Sequence, residues 1–286
     1  MKKINHILSA VVLIANCLLP TDDLFAQGTW PWAKQTYGGG SIFDKCGNIC
    51  TDASGNVYIT GKFGSPTITF GTFTLTNSNP SSGSNFYIAK YDANGNILWL
   101  RGHTAGTAYE ENGQSISTDA SGNVYVAVNY YYGSITFGSN TFSTSSWDWN
   151  IVLLKYDSSG NLLGVQGAGG TGEDQAWGIA TDPLGNVYVV GDFTSPSITF
   201  GSTTLINPGT QAVFLIKFDA AGNVLWYDVP GNANGTDVAT DASGNVYICG
   251  SFGGSITFGS TTLTQTVSGA SQSYIAKYNS SGNALW

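Results

Sequence analysis

Charged side chains are scarce in this sequence. They make up 10% of its 286 residues, against about 25% in typical soluble domains. The formal net charge is −8, and Lys2 and Lys3 form the longest basic run. Such a chain repels phosphate groups, so a nucleic-acid partner is excluded from the candidate functions. Anionic membrane surfaces are disfavoured for the same reason.

Histidine and cysteine are also rare, with two and four residues respectively. Three cysteines lie beyond the N-terminal segment, too few for the disulfide framework of a small secreted domain. They are interpreted as buried free thiols, and Cys46 and Cys50 share a predicted strand. His103 is interpreted as a solvated loop residue, which leaves no catalytic triad and no zinc site. We expect no metal or other cofactor. Calcium remains possible, but no EF-hand-like motif supports it.

The N-terminus has the pattern of an export signal. Lys2 and Lys3 precede an apolar stretch, residues 7–19, that is too short to span a bilayer. Residues 1–26 are therefore predicted to be a signal peptide cleaved after Ala26. A lipoprotein anchored through Cys17 is the alternative. The mature chain is expected outside the cytoplasm, as a secreted, periplasmic or cell-surface protein without a membrane span.

Three short phrases recur in fixed order at intervals of about 60 residues. Such self-similarity is the signature of repeat architectures. Thr-Asp-x-x-Gly-Asn-Val-Tyr begins at Thr51, Thr118, Thr181 and Thr240, and Ile-Thr-Phe-Gly begins at Ile68, Ile135, Ile198 and Ile256. A lysine phrase that ends in Gly-Asn begins at Lys90, Lys155, Lys217 and Lys277.

Each Gly-Asn predicts a hairpin, because the preceding Asp can cap the turn and Gly supplies positive φ. Two hairpins per copy predict four strands, and Ile-Thr-Phe-Gly adds a short extra hairpin. Runs such as 187–190 and 213–216 are apolar on both faces, so each sheet must be covered on both sides. The sequence therefore predicts an all-β fold, a β-propeller of four-stranded blades. A solenoid of similar repeats is the structural alternative.

The predicted organisation starts with an orphan strand and lead-in loop over residues 27–45. Four repeats follow over residues 46–286, with approximate ranges 46–112, 113–175, 176–235 and 236–286. The last repeat is cut short in mid-strand, which predicts an incomplete ring and a fragment of a longer protein. Open sheet faces and edges predict that this fragment aggregates or oligomerises.

With these phrases, the chain from about Trp30 to Trp286 resembles the SBBP β-propeller repeats of exported bacterial proteins, especially of Bacteroidetes. The resemblance implies the propeller fold and an exported location. It implies no shared reaction, because the family's motifs specify architecture. Members often carry a C-terminal sorting module, and the present sequence contains none.

Acidic residues recur ahead of three repeats. Asp44, Glu111 and Asp174 each lie seven residues before the Thr of Thr-Asp, where the fourth repeat has Ala233. Three converging carboxylates would suit a cation or the acid and base of a carbohydrate-active enzyme. A side chain that recurs with a repeat is more often part of its construction, so a structural or solvent-facing role is preferred.

Aromatic residues inside the repeat, such as Tyr58 and Trp99, are assigned to packing between sheets. Those that break the repeat are the binding candidates: Tyr130, Tyr131, Tyr132, Trp147, Trp149 and Trp177. Exposed rings could stack on sugars or anchor a protein, whereas local repacking is the plain alternative.

The sequence therefore favours a binding scaffold, outside the cytoplasm, for protein or glycan. A carbohydrate-active enzyme that uses the three acidic residues is one alternative. A structural spacer in a larger surface protein is the other. No catalytic constellation is identified.

Overall fold

The computed structural model describes residues 32–38, 43–81, 83–267 and 269–286. The predicted signal peptide, residues 1–26, lies outside them. Residues 32–35 and residues 36–286 belong to two different units of the chain. In the first unit, residues 32–35 form no strand. Throughout the described ranges no helix has the length and apolarity needed to cross a bilayer.

The second unit is built from β-strands joined by turns. In the first half these are β1 Tyr37–Gly38, β2 Lys45–Thr51, β3 Val57–Phe63, β4 Thr67–Phe70, β5 Phe73–Thr76, β6 Asn85–Tyr91, β7 Ile97–Arg101, β8 Ala105–Gly106, β9 Glu110–Thr118, β10 Val124–Phe137, β11 Asn140–Tyr156 and β12 Leu162–Ala168. In the second half they are β13 Asp174–Thr181, β14 Val187–Phe193, β15 Ser197–Phe200, β16 Thr203–Ile206, β17 Ala212–Phe218, β18 Val224–Gly231, β19 Ala233–Thr240, β20 Val246–Phe252, β21 Ser255–Phe258, β22 Thr261–Thr264 and β23 Gln272–Tyr278.

The strands form four antiparallel blades in chain order. Blade 1 has the order β2-β3-β6-β7, and blade 3 has β13-β14-β17-β18. Blade 2 consists of β9-β10-β11-β12, with β8 also paired to β10. Blade 4 has β19-β20-β23, and the Tyr278–Ala284 bridge begins a fourth strand. Successive meandering blades of this kind are the β-propeller architecture, so the predicted fold class is confirmed.

The repeated turns explain why the strands stop where they do. In blade 3 the Asp182 N–H donates to Asn186 O at 2.9 Å, and Gly185 takes a φ of 79°. Asp182 Oδ1 accepts from Leu184 N and Asn186 N, and its Oδ2 accepts from the Tyr188 hydroxyl. The turn-capping role expected of the repeated aspartates is thus observed, and it fixes the hairpin register locally.

Apolar side chains fill the space between consecutive blades. Tyr58 and Phe86 of blade 1 pack with Val126 of blade 2, while Tyr188 of blade 3 packs with Ile248 of blade 4. A third cluster joins blades 2 and 3. The prediction that both sheet faces are covered is confirmed at these three interfaces.

Threonine side chains link the first strands of neighbouring blades. Thr118 Oγ1 donates to Thr51 O at 3.0 Å, Thr181 Oγ1 to Thr118 O at 2.7 Å and Thr240 Oγ1 to Thr181 O at 2.7 Å. The Thr of the repeated Thr-Asp therefore connects each blade to the one before it. None of the described hydrogen bonds joins blade 4 to blade 1.

The Ile-Thr-Phe-Gly phrase forms the predicted extra hairpin in every repeat. It is separate in blades 1, 3 and 4, as β4–β5, β15–β16 and β21–β22. In blade 2 it is continuous with β10 and β11, which makes these strands much longer than their counterparts. Blade 2 therefore carries an extended hairpin that the repeat pattern did not predict.

The predicted orphan strand and lead-in loop, residues 27–45, lie partly outside the described residues. Residues 32–36 form no strand, and β1 pairs with β4 of the extra hairpin instead. The first strands of blades 2 to 4 begin a few residues before the predicted boundaries at 113, 176 and 236. The free cysteines also differ from expectation, because Cys46 in β2 is exposed and Cys50 is half-buried.

Candidate binding site on blade 2

Five aromatic side chains cluster on blade 2, and we call them the aromatic platform: Tyr109, Tyr131, Tyr132, Trp147 and Trp149. Tyr132 and Trp147 stack face to face, with centroids 4.1 Å apart and planes 4° from parallel. Tyr131 lies 6.0 Å from Trp147 and 5.2 Å from Trp149. Tyr109 meets the edges of Tyr131 and Trp147. The platform thus unites four of the six predicted aromatic candidates.

A large bulge in the β10–β11 ladder creates the platform. Tyr131 pairs with Trp149, but the next pair is Gly133 with Thr144. Tyr132 and residues 145–148 therefore lie outside the ladder. Tyr132 has a φ of 43°, an unfavourable value for a bulky side chain. Bulges redirect side chains in this way, and here the two extruded rings stack on each other.

The segment before β9 supports the bulged backbone. Tyr109 N donates to both Tyr131 O and Tyr132 O, at 3.0 and 2.9 Å. Backbone N–H groups of Thr107 and Ala108 donate to Ser134 O. These bonds hold Tyr132 in its strained conformation, and they place Tyr109 against the other rings.

The platform offers exposed aromatic surface, and Asp148 lies between its two tryptophans in the sequence. Trp147 is 61% exposed, and Tyr109 and Tyr132 are each more than a third exposed. Glu110 lies opposite Tyr131 in the ladder, and its carboxylate forms an ion pair with Lys62 of blade 1. Exposed Trp and Tyr side chains are typical of binding hot spots.

A polar cleft of about 520 Å³ lies on the other face of the same ladder. Tyr130 and Asn150 pair directly across β10 and β11 and line it, beside the platform pair of Tyr131 and Trp149. Successive strand residues point to opposite faces. The remaining lining comes from residues 141–146, 167–171 and Thr199, and no lining side chain is charged.

Two polar groups of the cleft lack a described hydrogen-bond partner. Asn150 is 5% exposed, and its Nδ2 is buried without an acceptor. The Tyr130 hydroxyl likewise has no partner among the described residues. Burial raises the pKa of Tyr130 to about 12, so its hydroxyl is a donor at neutral pH. Such groups favour a polar ligand.

Tyr130 and Trp177 do not join the platform. Tyr130 is 4% exposed and packs in the core between blades 1 and 2. Trp177 lies at a bulge in β13 and is half-buried. Its Nε1 donates to Asp192 Oδ2 at 2.7 Å. The sequence criterion that selected them, absence from the other repeats, does not distinguish exposed from buried rings.

The three acidic candidates have separate hydrogen-bond partners. Asp44 Oδ2 accepts from the Ser65 hydroxyl at 2.9 Å, and Asp174 Oδ2 accepts from the Ser195 hydroxyl at 2.7 Å. Burial raises the pKa of Asp174 to about 6, against the opposing effect of these hydrogen bonds. Asp44 and Asp174 thus each bind the turn that precedes the extra hairpin of their own blade, and they share no partner.

Glu111 occupies the same position in blade 2 but has different partners. Its Oε2 lies 2.7 Å from His103 Nδ1 and accepts from Phe86 N. His103 also lies 2.9 Å from Asn85 Nδ2. The His103 side chain is 9% exposed, so the expectation of a solvated loop histidine is wrong. In blade 2 this histidine is the side-chain partner of the acidic residue, whereas serine is the partner in blades 1 and 3.

Metal-binding geometry is not found in the described ranges. No group of three or more His, Cys, Asp or Glu side chains there could hold a metal ion. The aspartates considered for calcium use both carboxylate oxygens in their turns, as Asp119 does with Ser121 N, Asn123 N and the Tyr125 hydroxyl.

Sequence reasoning missed Tyr109 and Asn150. Tyr109 also breaks the repeat, so the criterion that selected the other rings could have found it. Asn150 gave no signal, because its unpaired amide becomes visible only when β10 and β11 are paired.

No protein-family model matches the chain. Its assignment to the SBBP repeats therefore stays a prediction. The chain is similar to an uncharacterised WD repeat-containing protein, L264, of Acanthamoeba polyphaga mimivirus. The two are 27% identical over 323 aligned residues, which cover 91% of this chain and 23% of the viral protein. The chain thus spans about a quarter of that relative's length.

Two solved structures are weakly similar to this chain. A protein of unknown function from Bacteroides caccae has a TM-score of 0.34 and 12% identity, over 87% of this chain and 82% of that one. The WD40 domain of Neurospora crassa Pan2 has a TM-score of 0.40 and 11% identity, over 84% of this chain and 64% of that one. The fold assignment rests on the strand order and blade packing of the chain itself.

Proposed function

We propose that this chain is an exported propeller scaffold that binds a partner protein through the aromatic platform. The observation that carries the proposal is the stacked pair of Tyr132 and Trp147. Trp147 is 61% exposed, and Tyr132 reaches it only through a strained backbone with a φ of 43°. Such strain costs on the order of 1–3 kcal/mol and is characteristic of functional sites.

The chemistry of the platform favours a protein partner. Tyrosine and tryptophan are enriched at the centres of protein interfaces, where charged residues are depleted. The similarity to a WD repeat-containing protein supports an interaction scaffold. Asp44, Glu111 and Asp174 have separate hydrogen-bond partners, which gives no support to the carbohydrate-active enzyme.

Export is proposed from the N-terminal sequence. Lys2 and Lys3, followed by the apolar residues 7–19, form the signal pattern. Residues 1–35 fused to a reporter enzyme that is active only outside the cytoplasm should give activity, and replacing the apolar stretch with serine should abolish it. Equal reporter activity from both fusions would contradict export by this segment.

A neutral glycan in the polar cleft is the second candidate function. Its support is the unpaired Asn150 Nδ2 in a cleft lined by hydroxyl groups and no charged side chain. Tyr130 and Phe142 supply aromatic surface beside these polar groups. Sugar hydroxyls could satisfy the buried amide while the rings contact an apolar sugar face.

A peptide-display selection on the immobilised protein tests the first candidate. We expect selected peptides to bind the wild type and to lose at least tenfold in affinity with Trp147→Ala. Tyr227→Ala is the matched control, because Tyr227 is also about half exposed but lies in β18 of blade 3. Peptides that bind both variants equally would refute the platform as the site.

A glycan array screened with the wild type and Asn150→Leu tests the second candidate, a neutral glycan in the polar cleft. Binding that Asn150→Leu abolishes and Trp147→Ala leaves intact would assign the cleft to a glycan. A structural spacer predicts neither peptide nor glycan binding that depends on these residues.

A further inference from the structure

A tryptophan after the last turn of blades 1 and 3 contacts the following blade. Trp99, Trp226 and Trp286 follow the sequence Gly-Asn-x-Leu in blades 1, 3 and 4. Trp99 Nε1 donates to Ser158 O of blade 2 at 3.2 Å. Trp226 Nε1 donates to Ser280 O of blade 4 at 3.1 Å. The same indole contact thus recurs at two interfaces.

Blade 2 breaks this pattern, because Gly164 stands where the other blades have tryptophan. In the ladder Gly164 pairs with Lys155, as Trp99 pairs with Lys90 and Trp226 with Lys217. A cavity of about 530 Å³ lies between blades 2 and 3 at this position, and Gly164 lines it.

The turn glycines show that this cavity includes the space that an indole ring fills at the other two interfaces. A Cβ built on Gly160 would lie 2.9 Å from the Trp99 ring, and one on Gly282 would lie 2.7 Å from the Trp226 ring. Gly222 is the equivalent glycine of blade 3 and lines the cavity. A Cβ there meets no other protein atom within 4 Å.

Aromatic residues line the cavity at the positions where aromatic residues flank Trp99 and Trp226 at the other two interfaces. Trp226 lies between Tyr188 and Tyr278, with centroids 5.9 and 6.2 Å away. Trp99 lies between Tyr58 and Tyr156 in the same way, at 6.0 and 6.5 Å. The equivalent residues at the blade 2–blade 3 interface are Tyr125 and Phe218, and both line the cavity.

The polar contact of the indole also has a counterpart. Ser158 O accepts from the Trp99 indole and from Lys90 Nζ, the latter at 2.9 Å. At the blade 2–blade 3 interface Ala220 O accepts from Lys155 Nζ at 2.6 Å, without an indole. A carbonyl oxygen has two lone pairs. Ala220 O therefore keeps one acceptor position directed at the place of an indole N–H.

We propose that the cavity between blades 2 and 3 binds a small molecule with an indole ring or a bicyclic aromatic ring of the same shape that carries an N–H donor. The ring lies between Tyr125 and Phe218 on Gly222, and its N–H donates to Ala220 O. This site shares no residue with the aromatic platform, so the proposal does not depend on the protein partner proposed above.

Saturation-transfer NMR with free indole tests the proposal on the purified chain. We expect saturable binding to the wild type with a dissociation constant of about 1 mM or lower, well within the efficiency of small ligands. Benzofuran has the same shape but no N–H, and it should bind about fivefold more weakly because one hydrogen bond is lost. Equal affinity for both probes would contradict the assigned N–H contact.

Two variants locate the binding. Gly164→Trp fills the cavity from within and should abolish the indole signal, since a Cβ at Gly164 meets only Lys155 Cβ at 3.9 Å. Trp226→Gly opens the corresponding cavity between blades 3 and 4, and it should raise the stoichiometry from one indole to two. No saturable signal with the wild type, or a signal that Gly164→Trp leaves unchanged, would overturn the proposal. A stoichiometry that stays at one in Trp226→Gly would overturn it as well.

Discussion

Replacing Gly164 with tryptophan should stabilise the protein. The variant restores the residue that blades 1 and 3 use to contact the following blade, and the cavity of about 530 Å³ lies where its ring would go. Gly164 does not have a positive φ, so a residue with a side chain can adopt its backbone conformation. The new side chain therefore enters without backbone strain.

The expected increase in the free energy of unfolding of Gly164→Trp is the sum of opposing contributions. Removing a buried tryptophan costs about 3–5 kcal/mol, but Trp226 is half-buried at the equivalent position, so about half of that is available. Replacing glycine also reduces the entropy of the unfolded chain, by about 0.4–1 kcal/mol. Ordering the new side chain costs about 1 kcal/mol. The net stabilisation is about 1–2 kcal/mol, or about 3–6 °C in melting temperature.

Differential scanning calorimetry measures the shift, with Trp99→Gly as the reciprocal variant. Trp99 is 5% exposed, so its removal should cost about 3–5 kcal/mol. A Gly164→Trp variant that melts below the wild type, together with a Trp99→Gly variant that melts unchanged, would refute the role of these tryptophans in fastening the blades.

Further predictions concern one buried carboxyl, one strained residue and one pair of turns. Burial raises the pKa of Asp192 to about 6, so the folded state holds its proton more tightly than the unfolded state. The contribution of Asp192 to stability should therefore fall by up to about 3 kcal/mol as the pH rises from 4 through 6 to 8. Denaturation at each pH should show this slope reduced in Asp192→Asn, and an unchanged slope would contradict the assignment. Tyr132→Gly should remove the stack on Trp147 but relieve the positive φ, so it should lose peptide binding with a stability change below about 1 kcal/mol in urea denaturation; a large destabilisation would mean that the ring is structural. Asp182→Ala should cost about 2–3 kcal/mol, because it leaves buried donors unpaired, whereas Asp219→Ala, in an exposed turn of the same sequence type, should cost clearly less in the same assay. Equal losses would show that the buried contacts of Asp182 contribute nothing.

Local chemistry explains why the blades were predictable. The turn at Asp182, Gly185 and Asn186 is specified by residues that contact one another within a few positions, and the same set recurs in each repeat. Once these turns fix the hairpins, the two-sided apolar strands require blades to pack face to face. Sequence alone therefore predicted the four-stranded repeat and the extra hairpins.

The aromatic platform depends on features that periodicity does not encode. Strand alternation places Tyr130 and Tyr131 on opposite faces, so the three consecutive tyrosines could not all be exposed together. Tyr132 is exposed because the bulge removes it and residues 145–148 from the ladder. The length of that bulge is set by pairing between distant segments, and no single-sequence pattern reports it.

The contacts of Glu111 were unpredictable for a similar reason. Its partner His103 lies in a segment without repeat character, and Asn85 comes from blade 1. The equivalent residues Asp44 and Asp174 bind serine in a repeated turn, as expected of a structural role. The same position thus has different partners once the extended hairpin of blade 2 replaces that turn.

Most of the departures from the repeat that bear on binding lie in blade 2. Its extended hairpin carries the platform and the polar cleft, and its fourth strand carries Gly164. A repeat residue packs against equivalent neighbours, so a departure survives only where the surrounding structure accommodates it. In blade 2 the bulge is held by backbone hydrogen bonds from Tyr109, and the site of the absent indole keeps the Lys155 contact to Ala220. The repeated phrases of this chain therefore build the scaffold, and we infer that the residues that break them on blade 2 are the place to look for its ligands.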